Sequence, residues 1–330
     1  MYPFVHLLSD GNLFVFTSKS SQIFNVNQNQ IVTAMPELPG MYRTYPNTGG
    51  STMLPLLEQN NYQPEIMICG GGAYNDEKSP TDDTCGRIRP SDPEPAWQIT
   101  KMPGGSRTMV EGTILLDGTI LWLNGARLGC QGFGTASEPA LDAMVYSPDT
   151  NEWTIAGHTS IPRLYHSVAL MLLDGTILVA GSNPNEMPLD PAGVDAEDPL
   201  RAYPTEFRVE RFTPSYLLSD KANKRPKDIV IDKSILVPGQ TVSLIQFLVT
   251  DQPEDVKVWL YHGGFVTHAL HMGQVMVEME QTNPLKHHRR GRYELTVRVP
   301  DIKLAPGPYV IYLVVNGVPG YGQNVSVQNM

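Results

Sequence analysis

The chain has 330 residues, 41% of them hydrophobic, and a formal net charge of −10 from 24 Lys and Arg against 34 Asp and Glu. That composition supports a core for about two domains and excludes wholesale disorder. The acidic balance argues against a nucleic-acid partner, which needs a basic face to neutralise phosphates, and no apolar run approaches the ~18 residues of a membrane span.

The first residues, MYPFVHLLSDGNLFVF, read like the middle of a strand pair and lack the charged start and cleavage site of a signal peptide. From there a repeat runs along the chain: LLSDGNLFVF (7–16), LLDGTILWLNGA (115–126) and LLDGTILVAGSN (172–183), with a degenerate copy at 51–72. Asp-Gly between two apolar runs predicts a type I′ hairpin. Further strand pairs follow the hairpins, and one carries the cadence Tyr146, Pro148, Thr150, Trp153. Four strands per ~50-residue unit is the pattern of a kelch-type β-propeller blade, with about four blades over residues 1–206. From VERFTPSYL (209–217) the Asp-Gly units stop, and short alternating strands over 207–330 predict an immunoglobulin-like β-sandwich. The fold class is therefore all-β, a partial kelch-type propeller followed by a sandwich. Open blade edges would invite pairing with another chain.

Chemistry is sought first among the eight histidines. His287 and His288 lie in a polar turn, His158 in a loop, and His6 on a strand without a local partner. Tyr165 and His166 start the first strand of a blade, and first strands line a propeller's channel. They read either as a core tyrosine with a hydrogen-bonded histidine or as an oxygen and a nitrogen ligand. His268 and His271, in GGFVTHALHMGQ, occupy a turn between sandwich strands. Taken alone they are surface histidines, but a loop reaching into the channel would bring one to Tyr165 and His166. A phenol with two imidazoles and open positions suits tetragonal Cu(II), not the oxygen-seeking magnesium or calcium. Arg107 and Glu111 take the same blade-start position one repeat earlier, as a rim salt bridge or as polar groups orienting a substrate. Cys69 and Cys85 bracket a polar loop and read as buried thiols or as one disulfide that leaves Cys130 odd.

Together the segments IPRLYHSVALMLLDGTILVAGSNPN, VERFTPSYL, FVTHALHMGQ, YPNTGGSTMLPLL, ICGGG…CGRI and LAPGPYVIYLVVNGVPGYGQNVSV closely resemble the glyoxal oxidase branch of the copper-radical oxidases, relatives of galactose oxidase, over essentially the whole chain. One departure is Pro319–Gly320, where the family has Pro-Ser. The resemblance implies one copper ion with Tyr165 as axial ligand and proton acceptor, His166 and His268 as imidazole ligands, no such role for His271, and a Cys69–Cys85 disulfide. It implies oxidation of a small aldehyde, as its hydrate, to the carboxylic acid with O2 going to H2O2, in a secreted protein. The family also uses a radical tyrosine joined by a thioether to a cysteine, both in its first two blades. The match here starts at the third blade, and neither residue has a counterpart. Tyr45 is kept as a pocket-lining candidate only. Two readings of other classes stand beside the oxidase: a non-catalytic kelch interaction module, and a plain copper-binding protein.

Overall fold

A computed structural model describes residues 2–328. Its secondary structure is strands and short 3-10 turns, with no helix among the described residues long and apolar enough to cross a membrane. The first blade is the antiparallel meander Phe4–Leu7, Leu13–Thr17, Ser20–Asn25 and Gln30–Ala34. The second is Gly50–Met53, Ile66–Cys69, Thr84–Ile88 and Gln98–Lys101. The third is Glu111–Ile114, Ile120–Leu123, Asp142–Ser147 and Glu152–His158, the last strand holding the expected loop residue His158. Burial follows position in the blade. The inner strands Gly50–Met53 and Glu111–Ile114 are buried throughout, whereas the outer strand Gln30–Ala34 is exposed throughout.

The fourth blade is Val168–Met171, Ile177–Ala180 and Glu210–Phe212. Its third strand lies beyond the expected boundary at 206. Pairing of Ile177 with Phe212 returns the chain to the blade after a long excursion, and the sandwich's first strand is Lys227–Ile231. Loss of the Asp-Gly units marks the end of the hairpins, whereas strand pairing carries the blade on to Phe212.

The Asp-Gly turns differ from the type I′ expectation. In each, the glycine N–H donates to the leucine three residues back, as Gly118 to Leu115 at 3.0 Å, and that leucine N–H donates four residues on, as Leu115 to Thr119 at 2.8 Å. Only the glycine takes a left-handed φ, +86° at Gly118. This is a three-residue type I turn with a G1 bulge. The aspartate side chain explains the choice: Asp117 Oδ1 accepts both the backbone N–H and the hydroxyl of Thr119, which favours the right-handed region for the aspartate.

The sandwich packs one sheet (Lys227–Ile231, Val242–Leu248, Arg292–Arg298, Glu280–Gln281) on another (Ile235–Leu236, Gln323–Val327, Gly307–Val315, Val256–His262, Val275–Glu278). Inward residues such as Ile245, Phe247, Leu260, Val297 and Ile311 form its core. It sits on the Asp-Gly end of the propeller. Trp259 Nε1–H donates to the Leu116 carbonyl at 2.9 Å and the Tyr312 hydroxyl to that of Leu172 at 3.0 Å. Lys303 N–H donates to the Ser9 carbonyl at 3.0 Å. From this platform the hairpin Phe265–Thr267 and Leu270–Met272 runs against the inner strands of the second, third and fourth blades. At its foot Gln274 accepts from Ile114 N–H at 2.7 Å and donates to the Gly112 carbonyl at 3.1 Å.

A guanidinium is buried ahead of the inner strand in three successive blades. Arg43, Arg107 and Arg163 are 0%, 0% and 1% exposed. Each reaches an acid at, or two residues before, the start of its own blade's third strand: Asp82 at 3.1 Å, Asp142 at 2.6 Å and Glu210 at 2.8 Å. Each also donates to backbone carbonyls, Arg43 to Gly70 and Thr84, Arg107 to Gly104 and Asp142, and Arg163 to Gly181 and Arg208. Removing one member of such a buried pair strands the other. We predict that Arg43→Met destabilises the protein by about 3–5 kcal/mol, read by denaturant unfolding; a loss inside the ordinary surface range would remove this role.

His6 has a partner distant in sequence: its Nε2 is 2.7 Å from Ser51 Oγ on the neighbouring inner strand. Burial lowers the imidazole from 6.5 to about 4. Between those values the unfolded chain binds a proton that the folded chain refuses, so stability falls as pH drops through the window and returns as pH rises above it. The expected loss is roughly 3 kcal/mol across the window, and His6→Gln should flatten that part of the stability–pH curve.

Candidate metal centre

The centre is built from the end of one arginine anchor and the tip of the hairpin. Arg163 is fixed by Glu210, and two residues later Tyr165 and His166 enter the fourth blade. His166 has φ +67°. That left-handed residue breaks the alternation of a strand, so neighbouring side chains fall on the same side. The two rings stack with centroids 3.8 Å apart. His166 Nδ1 lies 2.8 Å from the Asn183 carbonyl, which can only accept. Nδ1 therefore carries the hydrogen, and Nε2 presents its lone pair.

His268 and Ala269 are the two central residues of the hairpin turn, with φ +53° and +60°. Both being left-handed makes this a type I′ turn, normally the place of Asn and Gly; an alanine there is strained by about 1–2 kcal/mol. Surrounding contacts hold it. Ala269 is buried with Met109, Ala126, Leu164 and Tyr165. Gln131, itself buried, donates its side-chain N–H to the His268 carbonyl and accepts the Thr48 hydroxyl. Gln131 N–H donates to the Pro46 carbonyl at 2.7 Å. Loops of the second and third blades thus grip the tip.

The result is convergence. His268 Nδ1 lies 2.8 Å from Tyr165 Oη and 3.2 Å from His166 Nε2. Two donors each about 2.0–2.1 Å from one ion, at close to a right angle, are ~3 Å apart, and His268 Nδ1 stands at that spacing from each of the other two donor atoms. The donor set, two imidazoles and a phenol, suits copper among the common metals. Among the described residues there is no cluster of three or more His, Cys, Asp or Glu, so the phenol is needed to complete the set. Burial first, then the neighbouring phenols of Tyr45 and Tyr2, pushes the Tyr165 hydroxyl up, towards its protonated form; a bound cation acts in the opposite sense.

Aromatic rings rim the centre. Tyr2 stacks on His268 at 6.5 Å, Tyr45 meets Tyr2 edge-on at 5.3 Å, and Phe133 packs on Tyr165 at 5.6 Å and His166 at 5.9 Å. All three are exposed enough to meet a solute. The other candidates lie elsewhere. Arg107 is sealed in its ion pair, and Glu111 is 1% exposed, accepting the Ala169 N–H. Neither faces a solvent-filled pocket. Cys69 and Cys85 are disulfide-bonded across adjacent strands of the second blade. Cys130 is a buried free thiol. His271, read alone as a surface residue, is buried beneath the turn because Val266 pairs with it inside the channel. Sequence reasoning missed Gln131, Phe133 and Tyr2. The glycines flanking Phe133, at φ +159° and +64°, were the one local sign of a shaped loop.

Residues 1–216 match the family described as glyoxal oxidase N-terminus, and residues 225–327 the galactose oxidase-like early set domain. Over 99% of its length the chain is 34% identical to aldehyde oxidase GLOX of Vitis pseudoreticulata, spanning 62% of that protein. It is 32% identical to aldehyde oxidase GLOX1 of Arabidopsis thaliana, again over 99% of this chain and spanning 55% of that protein. A fungal alcohol oxidase of the AA5 family, solved in complex with copper, superposes with a TM-score of 0.68 over 99% of this chain and 75% of the other, at 17% identity, which is a likeness of fold.

The grip on the turn makes a prediction. Gln131→Ala should weaken Cu(II) binding about tenfold, measured by competitive titration, without removing any donor atom. Unchanged affinity would show that the turn holds its strained shape unaided.

Proposed function

Because the chain belongs to the glyoxal oxidase family, a group of copper-dependent oxidoreductases, we propose that its centre serves the reaction RCH(OH)2 + O2 → RCOOH + H2O2 on small aldehydes taken as hydrates. Convergence of Tyr165, His166 and His268 is the observation that supports this reading. His166 and His268 would hold copper, with Tyr165 completing the set. Copper, when bound, supplies a one-electron redox couple and lowers the proton affinity of oxygens attached to it. Tyr165 takes the proton of the substrate hydroxyl onto Oη, a transfer that suits a phenolate beside a bound alcohol. The carbonyl of Asn183 keeps His166 in the tautomer that leaves Nε2 free. Phe133, Tyr2 and Tyr45 give the substrate an apolar rim and exclude water from one side.

Two electrons leave the aldehyde hydrate, and a single copper accepts one. A tyrosine–cysteine crosslink has no candidate among the described residues, since Cys69 and Cys85 bond each other and Cys130 points its Sγ at Asn75 Oδ1. We therefore expect this chain by itself to bind copper well and to turn over slowly. The Cys69–Cys85 disulfide suits an oxidising compartment outside the cell.

The test is a Cu(II) titration followed by electron paramagnetic resonance, with peroxide measured on a small aldehyde. Wild type should bind one ion, His268→Ala at least tenfold more weakly, and Tyr165→Phe should retain copper while losing residual peroxide formation. Equal affinity in wild type and His268→Ala removes the centre. Copper binding with no peroxide, even after a chemical one-electron oxidant is added, favours a copper-binding protein without oxidase chemistry.

A further inference from the structure

One buried ionisable pair lies under the hairpin and takes no part in the oxidase reading. Glu111 opens the inner strand of the third blade, and His271 stands on the hairpin strand Leu270–Met272; their side chains are 0% and 1% exposed. His271 Nε2 is 2.7 Å from the Gly263 carbonyl. A carbonyl only accepts, so Nε2 carries a hydrogen. A neutral imidazole has one N–H, which would leave Nδ1 as a bare lone pair without a hydrogen-bond partner, 3.4 Å from Glu111 Oε1. Glu111 Oε1 already accepts the Ala169 N–H at 2.9 Å, and Oε2 has no partner.

As an ionised acid beside a lone pair, Glu111 would be a buried charge without compensation, which costs several kcal/mol. No cation relieves it. Arg107 is committed to Asp142, and among the described residues Glu111 pairs with no Lys or Arg. The elements packed around the pair are equally bare. The inner strands Gly50–Met53 and Val168–Met171 carry no ionisable side chain. His6 of the first blade is bonded to Ser51, and the Tyr261 hydroxyl donates to Gln274. A proton on Oε2 would have no acceptor, whereas one on Nδ1 sets an imidazolium 3.4 Å from Oε1 as an ion pair.

We infer that Glu111 and His271 hold one extra proton between them, carried on Nδ1 beside Oε1, and that the ion pair so made positions His268, three residues along the same hairpin. The proton stands on this geometry alone; its consequence for the metal rests on the oxidase reading of His268. Glu111 and His271 are thus positioning residues, acting through the seat of the hairpin on the third blade.

Two measurements test this. In protein labelled with 15N-histidine, the His271 nitrogens at neutral pH should both show protonated signals. A bare Nδ1, with the far-downfield shift of an unprotonated and unbonded nitrogen, overturns the shared proton without any variant having to fold. For the positioning role, an asparagine places an amide N–H close to where Nδ1 stands. His271→Asn should keep the Cu(II) affinity within about twofold, and His271→Leu should lose about tenfold. Equal losses in the two variants overturn the positioning role. A wild-type chain that binds no copper sinks the oxidase reading and the positioning role with it, while the imidazole spectrum still decides the proton.

Discussion

A fully buried guanidinium cannot exist in this fold unless an acid and several carbonyls come to meet it. The three blades that carry Arg43, Arg107 and Arg163 each answer with an acid at or just before their own third strand and with backbone carbonyls. Each ion pair thereby fixes where an inner strand starts relative to the strand two places outward. The candidate centre inherits this. Tyr165 and His166 come two and three residues after Arg163, so their backbone is set by an ion pair that never touches a ligand. The same anchor one blade earlier precedes Glu111 by four residues, and there the blade supplies a seat for the hairpin in place of a ligand.

The sandwich contributes rigidity as much as a histidine. It grips the Asp-Gly turns of the first, third and fourth blades through Lys303, Trp259 and Tyr312. The turn carbonyls of Ser9, Leu116 and Leu172 accept those donors. With the platform fixed at one end, a two-stranded hairpin can cross the channel and deliver a single imidazole to the far side. A hairpin of this length would be marginal alone in water. Here it is stiffened along its length by Gln274 and His271 and at the tip by Gln131.

Strain is concentrated where the chemistry is. His166, His268 and Ala269 all take left-handed conformations close together, held by the Asn183 carbonyl, by Gln131 and by packing on Met109, Ala126, Leu164 and Tyr165 respectively. Such strain is tolerated when the surroundings over-determine it. It aims three donors at one point, which extended strands with alternating side chains do not do.

Much was legible in the sequence because it depends on local periodicity. Alternation of apolar residues and the recurrent Asp-Gly turns mark an all-β chain with a propeller and a sandwich, while the family resemblance carried by IPRLYHSV and FVTHALHMGQ is what implies that Tyr165, His166 and His268 come together. The turn type was missed because the aspartate's own hydrogen bonds, not the dipeptide, select it. Glu210–Phe212 joins its blade by pairing across a long excursion, which no local repeat announces. Only the tertiary structure decided that Arg107 lies sealed in an ion pair, that His271 is buried against an acid, and that Gln131 and Phe133 stand at the centre. The physical reason is the same in each case. Sequence period reports which face of an element is buried, whereas the partner it is buried against comes from another blade or from the sandwich, and nothing within a few residues of the chain encodes that.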